Sequence, residues 1–198
     1  LYGEGGAGKS LLALHLGIDV AAGRPCMGEE TLQGPVLALF CEDSEASVQQ
    51  RARICLRDRK LEDGAKLPFH LWCKLSGETY LAEIEDNGVV HERPMLHRLR
   101  AELERLGPGV LVILDSLADL FAMNENLRLP VNAAMKQVLG ALCRDYQATV
   151  LVLAHPSKAS KLDGSNYSGS TAFNNAVRQR LTLTVEKEEP GLYCEGPP

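Results

Sequence analysis

No stretch of this sequence stays apolar for long. Runs such as Val110–Leu114 and Val150–Ala154 stop at five residues, far below the about 18 that a membrane-spanning helix needs, so no membrane role is expected. A basic excess is missing too: 21 Lys and Arg stand against 26 Asp and Glu, a net charge of −5. Tight binding of nucleic acid across a broad surface usually needs the opposite balance. Any nucleic-acid contact must then come from a local loop or from a ring of subunits. The six cysteines, at positions 26, 41, 55, 73, 143 and 194, contain no Cys-x-x-Cys pair. That spacing argues against a metal site or a disulfide framework and for reduced, buried thiols in a cytoplasmic protein. There is no internal repeat and no linker.

What the chain does have is globular composition, 45% apolar and 24% charged residues over 198 positions. That is the size of one domain, residues 1–198, with a sizeable core. Buried-strand patterns alternate with helical ones. Val36–Phe40, Phe69–Cys73, Val110–Leu114 ending in Asp115, and Val150–Ala154 read as strands. Lys9–Ala22, a polar segment to about Arg59, Met95–Leu106 and a segment from Pro130 to about Tyr146 read as helices. In the first of these Leu11, Leu14, His15 and Ile18 share a face, and Gly23 is a natural stop. Leu81–Glu85 and Val89–His91 flank Asn87-Gly88, a two-residue hairpin signal. Leu181–Glu186 and Leu192–Glu195 look like late strands. The fold class is therefore α/β: a mostly parallel sheet flanked by helices, with a β-hairpin insertion at one edge.

Gly3-Glu4-Gly5-Gly6-Ala7-Gly8-Lys9-Ser10 fits G-x-x-x-x-G-K-[ST] at every fixed position. Glycines let the backbone curl so that successive N–H groups point at phosphate oxygens, and the helix that follows adds its positive dipole end. Lys9 is expected on the β- and γ-phosphates and the Ser10 hydroxyl on Mg²⁺. A chance match in a chain of this length has odds on the order of one in a hundred. A strand should precede such a loop, yet only Leu1-Tyr2 do so, and the chain is expected to lack its natural N-terminal segment.

A second metal anchor is expected at Asp115, which a buried strand delivers to the carboxyl edge of the sheet beside the phosphate loop. The alternative for Asp115 is a helix N-cap. Ser116 follows it, not the glutamate that often activates water in phosphate-loop ATPases. The acid must come from elsewhere. Glu42, just past Val36–Phe40, is the first candidate for the general base, and Asp43, which could instead cap the next helix with Ser44, is the second.

A phosphate loop, an acid after the next strand and a strand-end aspartate without an adjacent glutamate resemble the RecA-like phosphate-loop ATPases. His155-Pro156-Ser157-Lys158 and Gly169–Arg178 narrow the likeness. They resemble the RepA-type branch, ring-forming replicative helicases of plasmids and related phage ATPases. The likeness spans roughly residues 3–183. It implies a RecA-like fold, ATP and Mg²⁺ as ligands, His155 as γ-phosphate sensor, and Arg178 or Arg180 as an arginine finger reaching a neighbouring subunit in a hexameric ring. It also implies contact with single-stranded DNA through the loop carrying Lys158, Lys161 and Tyr167, where two lysines against Asp163 leave a balance of +1. Tyr167 would stack on a base, and the loop Met123–Leu129 with Arg128 is a second candidate. The readings left open beside helicase are a regulatory RecA-like ATPase and a small-molecule kinase.

Overall fold

Strands buried on both faces must be apolar along their whole length, and this sequence meets that demand at Val36–Phe40 and Val110–Leu114, both buried throughout. The structure, a computed structural model, describes residues 1–61, 66–73, 79–155, 173, 175–185 and 190–195. In chain order the elements are β1 (Tyr2–Gly3), α1 (Lys9–Ala22), β2 (Val36–Phe40), α2 (Glu45–Asp58), β3 (Phe69–Cys73), β4 (Ala82–Ile84), β5 (Val90–Glu92) and α3 (Pro94–Leu106). They continue with β6 (Leu111–Asp115), α4 (Leu117–Leu120), β7 (Phe121–Ala122), α5 (Arg128–Asn132), a π-helical turn region Ala133–Leu139, α6 (Gly140–Asp145), β8 (Thr149–Val152), β9 (Arg180–Val185) and β10 (Pro190–Glu195).

The central sheet has the order β3-β2-β6-β8, all parallel. A bridge between Ala154 and Tyr2 joins it to β1, which pairs in parallel with β9. Antiparallel β10 closes that side. Along β2, alternate side chains enter opposite layers. Val36, Ala38 and Phe40 pack with Leu14 and Ile18 of α1, Val48 and Cys55 of α2, and Ile113. Leu37 and Leu39 pack with Val112, Leu114, the α3 residues Leu96, Leu99 and Leu103, and Val138 of the π-helical region. Each fully buried Leu or Ile contributes about 1.5–3 kcal/mol, so these two layers hold the sheet and fix its carboxyl edge.

Several expectations are corrected. Leu11 is 40% exposed. The buried face of α1 instead combines Leu14 and Ile18 with Ala13, Gly17 and Ala21, small residues that let the helix lie close to the sheet. The hairpin loop has three residues, not two. Gly88 N donates to Glu85 O and Glu85 N to Val89 O, and Gly88 has φ 87°, so Asp86-Asn87-Gly88 forms a turn with a left-handed glycine. The hairpin does not lengthen the main sheet. Its β4 pairs in parallel with β7, making a separate three-stranded sheet, because Leu81, Ala82 and Ile84 bury in the α3 layer. The helix expected from Pro130 begins at Arg128 and passes through the π-helical region. No helix among the described residues is long and apolar enough to cross a membrane.

Candidate active site

Four neighbouring parallel strands end on one edge, and each delivers one part of the site. The turn after β2 carries Glu42, β6 ends in Asp115, the segment after β8 carries His155, and β1 opens into the phosphate loop. Phe40 lies opposite Asp115 in the register, which puts Glu42 two residues beyond the aspartate on the same edge.

The loop Gly3–Ser10 turns into α1 at Gly8, whose φ of 92° is open to glycine and strained for other residues. No side chain caps α1 and its first turn holds no acid. Its leading N–H groups therefore face outward with the positive end of the helix dipole, an arrangement suited to an anion. Lys9 lies beneath the loop at 5% exposure. Its ammonium donates to Gly3 O at 2.8 Å and Glu4 O at 2.9 Å, and contacts His155 Nδ1 at 3.2 Å. Burial pulls the Lys9 ammonium below its ordinary range, against the opposing pull of the Glu42 and Asp115 carboxylates. An anion near Lys9 would relieve that burial penalty.

Asp115 is 1% exposed. The Ser10 hydroxyl donates to its Oδ2 at 2.5 Å, while Oδ1 is buried without a hydrogen-bond partner among the described residues. Burial pushes this carboxyl up, the Ser10 hydrogen bond opposes the rise, and the nearby Glu42 charge adds to it. An orphaned carboxylate oxygen next to a serine hydroxyl is a donor set that fits a hard divalent cation such as Mg²⁺. Asp115 does not cap a helix: the short α4 has Ser116 at its N-cap position.

Glu42 and Asp43 part company here. Glu42 Oε1 lies 2.9 Å from His155 Nε2. Asp43 turns to α2 and accepts from both terminal nitrogens of Arg51, at 2.5 and 3.2 Å. Ser44 caps α2 by accepting from Ser47 N. Sequence reasoning missed Arg51, and it missed the Gly3 and Glu4 carbonyls that hold Lys9. The carbonyls carry no side-chain signal, and Arg51 sits eight residues from Asp43 with no local pattern to link them.

A family model described as an AAA domain matches residues 1–161. The chain belongs to the AAA domain family. As an AAA domain it is a phosphate-loop ATPase, and its α/β architecture is RecA-like. No curated protein matches the chain.

The matched span of this AAA domain holds the phosphate loop, Glu42, Asp115 and His155, and ends before the two arginines. Arg178 is exposed and Arg180 is half-buried in a cleft with Leu1, Tyr2, Phe173 and Val177. In β9, Thr182 lies opposite Tyr2 and Leu183 opposite Gly3. Arg180 is thus three residues, about 10 Å along a strand, from the root of the phosphate loop toward the opposite edge. The structure does not bring either arginine to Lys9. Lys158, Lys161 and Tyr167 lie outside the described residues.

Proposed function

We propose that this AAA domain is the ATP-hydrolysing motor of a RepA-type DNA helicase acting in plasmid or phage replication. The observation that carries hydrolysis is Glu42, held at the same sheet edge as Lys9, Ser10 and Asp115 and linked to Lys9 through His155. Loop N–H groups and Lys9 hold the phosphates of ATP. Ser10 and Asp115 would hold Mg²⁺, which when bound would neutralise charge on the phosphate oxygens. Glu42 accepts a proton from water as the water oxygen bonds to the γ-phosphorus and the bond to the leaving ADP oxygen breaks.

The helicase part rests on the RepA-like motifs and on the position of Arg178. An exposed arginine that is not brought to its own Lys9 suits a finger that completes the site of a neighbouring subunit. Arg180, turned into a cleft, suits that role less well. Lys158, Lys161 and Tyr167 are assigned to single-stranded DNA, with a ring of six subunits multiplying the small positive charge of that stretch of sequence. The deciding measurement is the steady-state ATPase rate of the full-length protein with and without single-stranded DNA. Stimulation of severalfold or more is expected. A rate indifferent to DNA would overturn the helicase reading and leave a regulatory ATPase.

A further inference from the structure

His155 joins two groups that hydrolysis uses for different purposes. Lys9 Nζ faces three acceptors, Gly3 O, Glu4 O and His155 Nδ1, at 2.8, 2.9 and 3.2 Å. An ammonium has three protons, so this arrangement uses every one of them on the protein itself. An imidazole whose Nδ1 accepts a hydrogen bond carries its own proton on Nε2. That nitrogen lies 2.9 Å from Glu42 Oε1. The bonds therefore run in one direction, from Lys9 through the ring to Glu42. One side chain at a strand end connects residues 146 positions away on one side and 113 on the other.

Two consequences follow from counting donors and acceptors. Lys9 cannot reach a phosphate oxygen with all three bonds kept, so at least one must open. The two carbonyl bonds belong to the loop's own fold, whereas the His155 bond is the longest and joins the first residue of α1 to the segment that follows β8. It is the one to give way. Meanwhile an oxygen of Glu42 is engaged by the ring and cannot at the same moment accept that hydrogen bond and take water's proton along the same lone pair.

We propose that His155 is a positioning residue that latches Lys9 to Glu42, so that phosphate must displace the imidazole from Lys9 before the site can act. The inference rests on Glu42 being the base for its catalytic meaning, and on geometry alone for its effect on binding. The latch competes with any ligand that needs Lys9, including a nucleoside diphosphate that has no γ-phosphate. A residue that touched only the γ-phosphate would not affect such a ligand.

The test is the affinity of MgADP for the full-length protein, measured by calorimetry for wild type, His155→Ala and His155→Gln. A side-chain hydrogen bond removed from competition should tighten MgADP about threefold to tenfold in His155→Ala, while kcat for ATP falls. His155→Gln can accept from Lys9 with its carbonyl and donate to Glu42 with its amide, so its MgADP affinity should return toward wild type. Unchanged or weaker binding in a folded His155→Ala protein overturns the latch, and a merely structural role would give weaker binding with a lower Tm. Nitrogen chemical shifts of His155 in the wild type give a second readout that needs no variant. They should show the Nε2–H tautomer without nucleotide and a changed Nδ1 on adding MgADP, and an Nδ1–H tautomer without nucleotide would sink the proposal. Wild type that binds MgADP yet never hydrolyses ATP would defeat the hydrolysis reading while leaving the binding comparison intact.

Discussion

At the residue scale, Asp115 pays for its position with stability. Its carboxylate is 1% exposed with one oxygen unpartnered among the described residues, and burial pushes its protonation range up. A folded-state pKa above the unfolded one means that ionisation at neutral pH opposes folding. Asp115→Asn keeps the shape and removes the buried charge. Without nucleotide and in EDTA it should gain on the order of 1 kcal/mol, about 2–4 °C in Tm, while Mg²⁺-dependent ATPase activity disappears. A lower Tm for the asparagine variant under those conditions would show that the charge is compensated. For the adjacent acids, Glu42→Gln should bind MgATP and lose about 10²–10⁴-fold in turnover. Asp43→Asn should retain most of its turnover, because Asp43 is committed to Arg51; stopped turnover in Asp43→Asn alone would exchange the two roles. Both acids were visible in the sequence, as was the loop, because backbone curvature and phosphate binding restrict residue types at fixed spacing. The sequence ranks Glu42 first by its place past the strand, and the pairing of Asp43 with Arg51, two helical turns onward, agrees with that order through a contact no local pattern encodes.

At the element scale, α1 matters because it carries the phosphate loop, and two features fix it. Gly17 lies so close to the sheet that a Cβ there would meet Phe69 Cε2 at 2.8 Å and Ile113 Cδ1 at 2.9 Å. Behind the helix, Asp19 is 4% exposed and accepts from Arg59, which follows α2, at 2.6 Å and through a second, shorter bond; Arg59 also reaches His15. Gly17→Val should push α1 outward, costing about 1–3 kcal/mol and weakening nucleotide binding with it. Asp19→Ala would strand a mostly buried guanidinium and should cost about 3–5 kcal/mol, against about 0–1 kcal/mol for Glu102→Ala, which breaks an exposed pair with Arg105. Urea denaturation of the three variants checks the ranking, and equal losses for Asp19→Ala and Glu102→Ala would contradict it. Elements flanked by strong signals were legible: α1 and β2 fall at the bounds the sequence suggests, since Gly23 stops the one and two-sided burial defines the other. The small sheet of β4, β5 and β7 was not legible as a unit, because β7 is two residues long and its pairing with β4 depends on the layer beneath.

At the scale of the whole molecule, Arg180 opens β9 three residues before the position opposite Gly3, and Arg178 precedes it in the chain; the proposed finger makes a prediction about assembly. An arginine finger in a well-studied system is worth about 10³–10⁵ in rate, so Arg178→Ala should bind ATP nearly normally and hydrolyse it poorly. Lys9→Ala should neither bind nor hydrolyse well, since the loop's only lysine is gone. In a ring with head-to-tail contacts, each site takes Lys9 from one subunit and Arg178 from the next. Random equal mixing of the two inactive variants then leaves about a quarter of the interfaces with both residues intact. If the sites act independently, mixed full-length protein should recover up to about a quarter of the wild-type rate, and neither variant alone should recover any. The same rate should fall on dilution below the dissociation constant of the ring, because separated subunits lose the neighbour's arginine. Full activity in a dilute monomer, or no recovery when mixed rings demonstrably form, would mean that Arg178 does not act across a subunit boundary.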